Sequence, residues 1–500
     1  MIAVPRSVLL KRLRAAHSVT GLATSALLYL ICLSGTLAVF FESFERWEQP
    51  DVPEYRGYGG AQIERSVNAF LKQLEALPDK LFVVLPSADL PRMHLSADGI
   101  ERYVHADGTL AAAPAADWTQ MLLELHNHLL LPETWGLLVT GSLGAMLCAL
   151  VINGLLAHPN LLKDLFKLRR TGNAAMRHTD VHNRLGVWGS PFFLMFGLTG
   201  AFFGLVGVLA AAGAQLWYGG DREALIADIY GADVKIEDAR SDIDFAAALT
   251  ELHRAVPEAE PIYLMVQNPG TDRPLLEIAA TLPGRLIYSE IYRFLPSGKL
   301  LGHQGLSDGP AGRQVAYSVY RIHFGHFGGY ASKLLYGVLG LALTVICASG
   351  VNIWLARRAQ PNHLDLLWSG FVWGVPLALS LAALGALLSG SPEILFLSVL
   401  SGSIAGSLLW RDAAALRRSL QWTLLLSLVA VIAVHGWRFG LVPRNGAVAG
   451  VHGAILVVAA FLFWRCQRRR QSARLQPAPR RSASASEALT DRKFSVPNDR

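Results

Sequence analysis

Apolar residues gather into eight runs, at about 16–40, 134–157, 183–210, 330–355, 367–389, 393–410, 419–437 and 446–464. Each approaches the ~20 residues that cross a bilayer core. The pattern predicts an α-helical polytopic membrane protein with about eight transmembrane helices. The first four runs enclose two long polar segments, 42–133 and 211–329, and a shorter basic loop, 158–182. The last four form an extension, 367–464, with short connections and no polar domain. Helical periodicity appears near 61–76 and 244–255. Val104–Leu110 and Phe294–Leu300 each have the pattern of a strand, a Gly turn and a strand. Each polar segment is therefore expected to form a small α+β domain.

The pattern also repeats. AHSVTGLATSALLYLICLSGT from Ala16 aligns with VHNRLGVWGSPFFLMFGLTGA from Val181, placing His17 on His182, Gly21 on Gly186 and Gly35 on Gly200. Histidine and both glycines fall on one helix face, because 18 residues make five turns. The expectation is a histidine ligand with glycine clearing space for a flat ring or a neighbouring helix. The second and fourth runs match through Gly144 and Gly154 with Gly340 and Gly350, preceded by His126 and His323. The repeating unit is helix, polar domain, helix, present twice.

Charge sets an expected orientation. Lys11, Arg12 and Arg14 precede the first run; Lys163, Lys167, Arg169, Arg170 and Arg177 fill the 158–182 loop; Arg357 and Arg358 follow the fourth run; and Arg411, Arg417 and Arg418 follow the sixth. These fall on one side, which the positive-inside rule makes cytoplasmic. Both termini are then expected on the cytoplasmic side, and the polar segments on the far side. The first run lacks a small-residue cleavage site and is taken as a retained helix spanning the end of segment 1–41. The basic tail, 465–500, is rich in Arg, Ser, Ala and Pro and is expected to be disordered from about 470. Its ten basic and three acidic groups alone amount to the chain's net charge of +7. That charge is suited to anionic lipid and is not a nucleic-acid footprint. Hydrophobic residues make up 52% of the chain and charged residues 17%, which excludes an ordinary soluble protein. Cys32, Cys148 and Cys347 lie in apolar runs and Cys466 at the end of the last, so no disulfide holds the polar segments together. The absence of CxxCH excludes covalently attached haem, and no GxGxxG or Walker motif offers a nucleotide or flavin site.

The His-x3-Gly openings of the first and third runs, LHNHLL before the second, IHFGHFGG before the fourth, and the two polar segments together resemble the bacterial PepSY-associated membrane proteins. These include iron-regulated membrane proteins and siderophore-iron reductases. The resemblance covers roughly residues 10–358. It implies PepSY-like domains at 42–133 and 211–329 and an inner-membrane reductase that passes electrons outward through haem to ferric siderophores. It places the haem-associated histidines at His17, His126, His182 and His323. The 367–464 extension departs from the shorter family members.

The residues point the same way on their own chemistry. Ionisable groups inside a membrane are costly and usually functional. Two neutral imidazoles fill both axial positions of a haem iron. Depth pairs His17 with His182 near the cytoplasmic face and His126 with His323 near the outer face, giving two b-type haems. His128, His178 and His326 are secondary candidates as ligands or propionate partners, and Arg321, Arg177 and Arg184 are candidate propionate partners. The tiers are expected to stand well apart, with Trp135, Trp188, Phe192, Phe193 or Tyr336 as bridging aromatics. His435 and His452 form a further pair, suited to helix packing, a quinol site or a third haem. The bland alternative holds these histidines at helix ends, bonded to lipid phosphate or backbone; His94, His105, His158, His253, His303 and His363 are taken as solvated or locally bonded.

The expected function is a ferric-siderophore reductase with two haems. Electrons come from an external donor, quinol or a cytosolic reductase, and reduction releases ferrous iron. No catalytic residue stands out. The alternatives are a PepSY-type regulatory or binding protein without haem, and an iron or siderophore transporter component. The repeat offers the transporter weak support, each unit running out and back the same way.

Overall fold

The computed structural model describes residues 6–158, 174–230, 242–271, 273–358 and 363–474. Among the described residues, seven helices are long and apolar enough to cross a membrane, so this is a multi-pass membrane protein. Four of them form the first bundle: α1 (Arg6–Ala38), α5 (Glu133–Ala157), α6 (Ala174–Trp217) and α10 (Gly329–Ala356). They pack in a closed ring in the order α1, α5, α6, α10. Glycine sets the closest approach. A Cβ on Gly141 of α5 would lie 2.8 Å from the Gly204 Cα of α6, and one on Gly144 would lie 2.8 Å from the Gly197 oxygen. Such backbone-to-backbone contact is how helices gain packing in lipid, where apolar burial alone favours no particular partner. Pro191 inside α6 cannot donate to the Val187 carbonyl. The Ser190 hydroxyl donates to it instead, at 2.9 Å.

Between these helices the polar segments fold outside the bundle. The first contributes α2 (Phe41–Glu48), α3 (Gly60–Leu71), β1 (Lys80–Val84), β2 (Met93–Ala97), β3 (Ile100–Val104) and α4 (Asp117–His128). The second contributes α7 (Arg222–Tyr230), α8 (Phe245–Ala255), β4 (Glu260–Gln267), β5 (Leu275–Thr281), β6 (Glu290–Phe294), β7 (Leu300–His303) and α9 (Ala311–Phe324). The helices expected near 61–76 and 244–255 are α3 and α8. The two strand–turn–strand patterns are the Val104–Leu110 bridge and the β6–β7 hairpin.

The segments do not form two separate domains. One antiparallel sheet runs through both, in the order β3-β2-β1-β4-β5-β6-β7. The seam is β1 against β4, from Lys80 opposite Gln267 to Val84 opposite Tyr263. Two small sheets would each leave an open edge of unpaired N–H and C=O groups, and the seam removes both edges at once. Ile63, Val67 and Phe70 of α3 and Phe245, Ala248 and Leu252 of α8 cover one face of the sheet in a single core. The two helices touch where a Cβ on Gly60 would lie 2.4 Å from the Ala246 Cα.

The extension comprises α11 (His363–Leu387), α12 (Pro392–Ser407), α13 (Ala413–Phe439) and α14 (Gly446–Arg474). It packs against the first bundle through one continuous apolar core containing Trp47, Trp118, Val375, Leu379 and Phe396. Two side chains pin it there. Pro376 leaves the Val372 carbonyl of α11 without its helical donor, and the Tyr29 hydroxyl of α1 donates to that oxygen at 2.8 Å. Trp118 Nε1 donates to the Leu379 oxygen at 3.0 Å. Two expectations need correction. The run at 393–410 is α12, whose 16 residues stop short of a full crossing, so seven spans replace eight. The tail is helical as far as Arg474, because α14 continues through 470–474. Residues 475–500 and most of the basic loop, 159–173, lie outside the described residues.

Candidate functional site

The four repeat histidines meet as two ring pairs, both on the axis of the first bundle. His17 of α1 faces His182 of α6, with ring centroids 6.1 Å apart and planes at 86°. His126 of α4 faces His323 of α9, also at 6.1 Å, with planes at 27°. The second pair lies on the sheet side of the bundle. Neither of its members opens a membrane helix: each sits near the end of its own amphipathic helix. After α4 the chain reverses through Leu129 and Leu130, both at positive φ (58° and 56°), and after α9 through Gly325 at 70°.

Each ring is held by the same device. His17 Nδ1 lies 3.0 Å from the Leu150 oxygen, His126 Nδ1 3.0 Å from the Ile31 oxygen, and His182 Nδ1 3.1 Å from the Ile346 oxygen. A carbonyl only accepts, so each Nδ1 carries the proton and Nε2 keeps its lone pair. His323 Nδ1 lies 2.7 Å from Thr199 Oγ1, whose own hydrogen goes to the Met195 oxygen at 2.6 Å, giving the same tautomer. Ligand histidines are characteristically oriented this way, with the second ring nitrogen tied to a carbonyl.

Glycine lies beneath every ring, but not the glycine expected. A Cβ on Gly35 would lie 2.5 Å from His126 Cε1, one on Gly154 3.2 Å from His17 Cε1, one on Gly350 3.4 Å from His182 Cε1, and one on Gly200 3.7 Å from His323 Cε1. Gly35 and Gly200 thus serve the sheet-side pair, about 27 Å along the helix from the histidines that share their face. In three cases the acceptor carbonyl is four residues before the glycine, one turn along the same helix. His126 and His323 open onto a cavity of about 660 Å³, lined on its apolar side by Leu28, Leu143, Leu147, Phe196, Phe203 and Tyr336. On α5 this cavity reaches Leu147, one turn from the Leu150 carbonyl that holds His17. The tiers themselves stand well apart, separated along α1 and α6 by the 18 residues from His17 to Gly35 and from His182 to Gly200, roughly 27 Å.

The spacing suits a metal between opposed rings. A metal–imidazole bond of about 2 Å, plus ~1.1 Å from nitrogen to ring centre, puts two axial rings roughly 6 Å apart. Among the described residues no group of three or more His, Cys, Asp or Glu side chains gathers around a common point. An ion at either pair would therefore take its equatorial donors from something other than these side chains.

The secondary candidates divide. His128 lines the cavity, with Nδ1 buried and unbonded. His178 lies one turn before His182 on α6. Arg321 donates to the Arg285 and Ile287 oxygens, at 2.8 and 3.3 Å. His326 Nε2 stands 3.3 Å from Glu42 Oε1. Of the expected bridging aromatics, Tyr336 lines the cavity and Phe193 is buried in the bundle, whereas Trp135 and Trp188 are exposed on its outside.

A buried ionic cluster lies close to the sheet-side pair. Lys333, at the start of α10, bridges Glu42 at 3.0 Å and Asp89 at 2.9 Å. Burial pushes the Glu42 carboxyl up, but His326 and the Lys333 charge outweigh it, so Glu42 titrates below the usual carboxylate range. Glu48 of α2 accepts from the backbone N–H groups of Trp118 and Thr119, at 2.9 and 2.8 Å, and so caps the helix that carries His126. The signal for the cluster in the sequence was a lone lysine, Lys333, in an apolar run; its partners come from distant segments.

A chain with this bundle, this outer sheet and this repeat belongs to a defined class of membrane protein. It is a member of the PepSY-associated transmembrane family, whose pattern matches residues 14–357 and stops just before α11. It is also similar to the uncharacterized protein PA4219 of Pseudomonas aeruginosa, with 28% identity over 340 residues, covering 64% of this chain and 84% of that one.

Proposed function

We propose that the chain is a haem-containing oxidoreductase of the bacterial inner membrane, carrying electrons from an external donor to a ferric siderophore in the periplasm. The observation that carries this reading is the pair of histidine pairs: each at 6.1 Å, each with Nδ1 locked to an acceptor and Nε2 left bare. A b-type haem would supply the further iron donors that the side chains lack, and a one-electron couple. His17 and His182 would hold one haem, and His126 and His323 the other. The glycines keep the imidazoles close to the helix backbones, and the acceptors fix ring orientation. Phe203, 5.5 Å from the His323 ring, and Phe196 and Tyr336 exclude water from the cavity.

The arginine and lysine distribution supports a periplasmic sheet and cytoplasmic termini. Electrons would then pass from the far-side pair to the sheet-side pair and on to an acceptor at the sheet face. The donor, quinol or a cytosolic reductase, is external to the chain. Ferrous product leaves because siderophores hold it weakly.

The test is optical. Protein purified from haem-replete cells should show a Soret band that shifts on dithionite reduction and returns when anaerobic ferric siderophore is added, with ferrous iron trapped by a chromogenic chelator. A colourless, folded preparation removes the haem reading. A haem that reduces but is never reoxidised by ferric chelates removes the acceptor.

A further inference from the structure

A third histidine pair lies in the extension, outside the region matched by the family. His435, near the end of α13, is 1% exposed and donates Nε2–H to the Trp47 oxygen at 2.9 Å. That bond fixes its tautomer and leaves a lone pair on Nδ1. This Nδ1 is buried without a hydrogen-bond partner, and so are His452 Nε2 of α14 and Trp47 Nε1. The His435 and His452 rings are 4.7 Å apart at 88°, and Trp47 stacks on His435 at 5.0 Å. Three helices thus bring two ring nitrogens and one N–H donor, all unsatisfied, into one small volume. Buried polar groups in native proteins are nearly always satisfied, so the cluster calls for an occupant.

A haem does not fit between these rings. The spacing is well below the 6.1 Å of the other two pairs. With bonds of about 2 Å and ~1.1 Å from nitrogen to ring centre, an ion shared by His435 and His452 sits at an angle of roughly 100°, the bend of a tetrahedral site.

We propose that His435 Nδ1 and His452 Nε2 bind one first-row divalent transition-metal ion. Among the described residues no carboxylate or thiolate joins them. The remaining positions are then open to water or an exchanging ligand, and Trp47 Nε1–H donates to the group bound there. Two neutral imidazoles select borderline ions such as zinc or ferrous iron over calcium and magnesium. The site does not depend on haem in the first bundle.

The experiment titrates full-length purified protein with Zn²⁺ by calorimetry and examines the bound ion by zinc X-ray absorption. Wild type should bind one more equivalent than His452→Asn or His435→Gln, with two imidazole scatterers lost in the variants, or should bind that equivalent at least tenfold more tightly. His435→Gln keeps a donor for the Trp47 carbonyl, and His452 is only partly buried, so its change is readily accommodated. Trp47→Phe should retain the stoichiometry and weaken affinity a few fold. If His452→Asn, folded by circular dichroism, has the wild-type isotherm, the proposal fails. If wild type takes up no zinc with imidazole scattering, a shared water fills the cluster and the proposal fails equally.

Discussion

The glycines under the rings give the sharpest test of the haem reading. At Gly35 an added methyl would lie 2.5 Å from His126 Cε1 and 2.8 Å from Nδ1. Ordinary carbon contacts need ~3.5 Å or more, so the imidazole must retreat by about 1 Å. It cannot do so and keep its 3.0 Å hydrogen bond to Ile31, only four residues from the glycine. Overpacking of this kind costs about 1–3 kcal/mol, which corresponds to roughly 5- to 150-fold weaker retention of the sheet-side haem. At Gly200 the same methyl meets His323 at 3.7 Å, an ordinary contact. Gly35→Ala should therefore lose most of one haem, while Gly200→Ala keeps close to two. Gly154→Ala, at 3.2 Å, and Gly350→Ala, at 3.4 Å, should fall between them, acting on the far-side haem. Haem per polypeptide by pyridine haemochrome and reduced-minus-oxidised spectra would read the series. Equal retention in Gly35→Ala and Gly200→Ala, or loss of the far-side haem in Gly35→Ala, refutes the reasoning.

Other predictions follow from the same geometry. His17→Ala and His182→Ala should deplete one and the same haem, and His126→Ala and His323→Ala the other, judged by difference spectra of the four variants. The ring planes cross at 86° in one pair and 27° in the other, so electron paramagnetic resonance of the oxidised protein should show two distinct low-spin signals. Glu42 is ionised and paired in the fold, with a depressed pKa, so its stabilisation is present above the unfolded carboxylate value of ~4.3 and is lost as pH falls through the folded value. Melting of wild type in detergent should weaken below about pH 4.3, and Glu42→Gln should flatten that dependence while lowering stability near neutrality. Tyr29→Phe strips the Val372 carbonyl of the donor that replaces its missing helical N–H in an apolar layer and should cost ~1–3 kcal/mol, read as a lower melting temperature with unchanged haem content.

What the sequence made legible was periodic or local. The His–Gly spacing located the ligand candidates, because a helix fixes which residues share a face. Helices α3 and α8 and both hairpin turns were visible in patterns a few residues long. Contacts between distant segments were not. The partner of β1 across the seam, β4, lies about 180 residues away, and alternation within a strand says which face is buried, not which strand lies beside it. Gly35 was correctly singled out but assigned to His17. Only the fold of α4 back over α1 reveals that it underlies His126. That fold-back depends on Leu129 and Leu130 taking positive φ, a conformation leucine sequences do not advertise. Trp47 and Glu48 were invisible as positioning residues because their partners, His435 and the start of α4, come from other segments.

The β1–β4 seam has a further consequence. β1 follows α3 and β4 follows α8, so equivalent strands of the two repeats pair antiparallel with each other. An antiparallel pair of equivalent strands has the two-fold geometry of a homodimer interface. A half-length chain carrying one unit would expose this strand as an open edge, and a second copy would be its natural mate. It would also own only one histidine of each pair, since His17 needs His182 and His126 needs His323. Joined in one polypeptide, the halves need no encounter to complete either site, and assembly no longer depends on protein concentration.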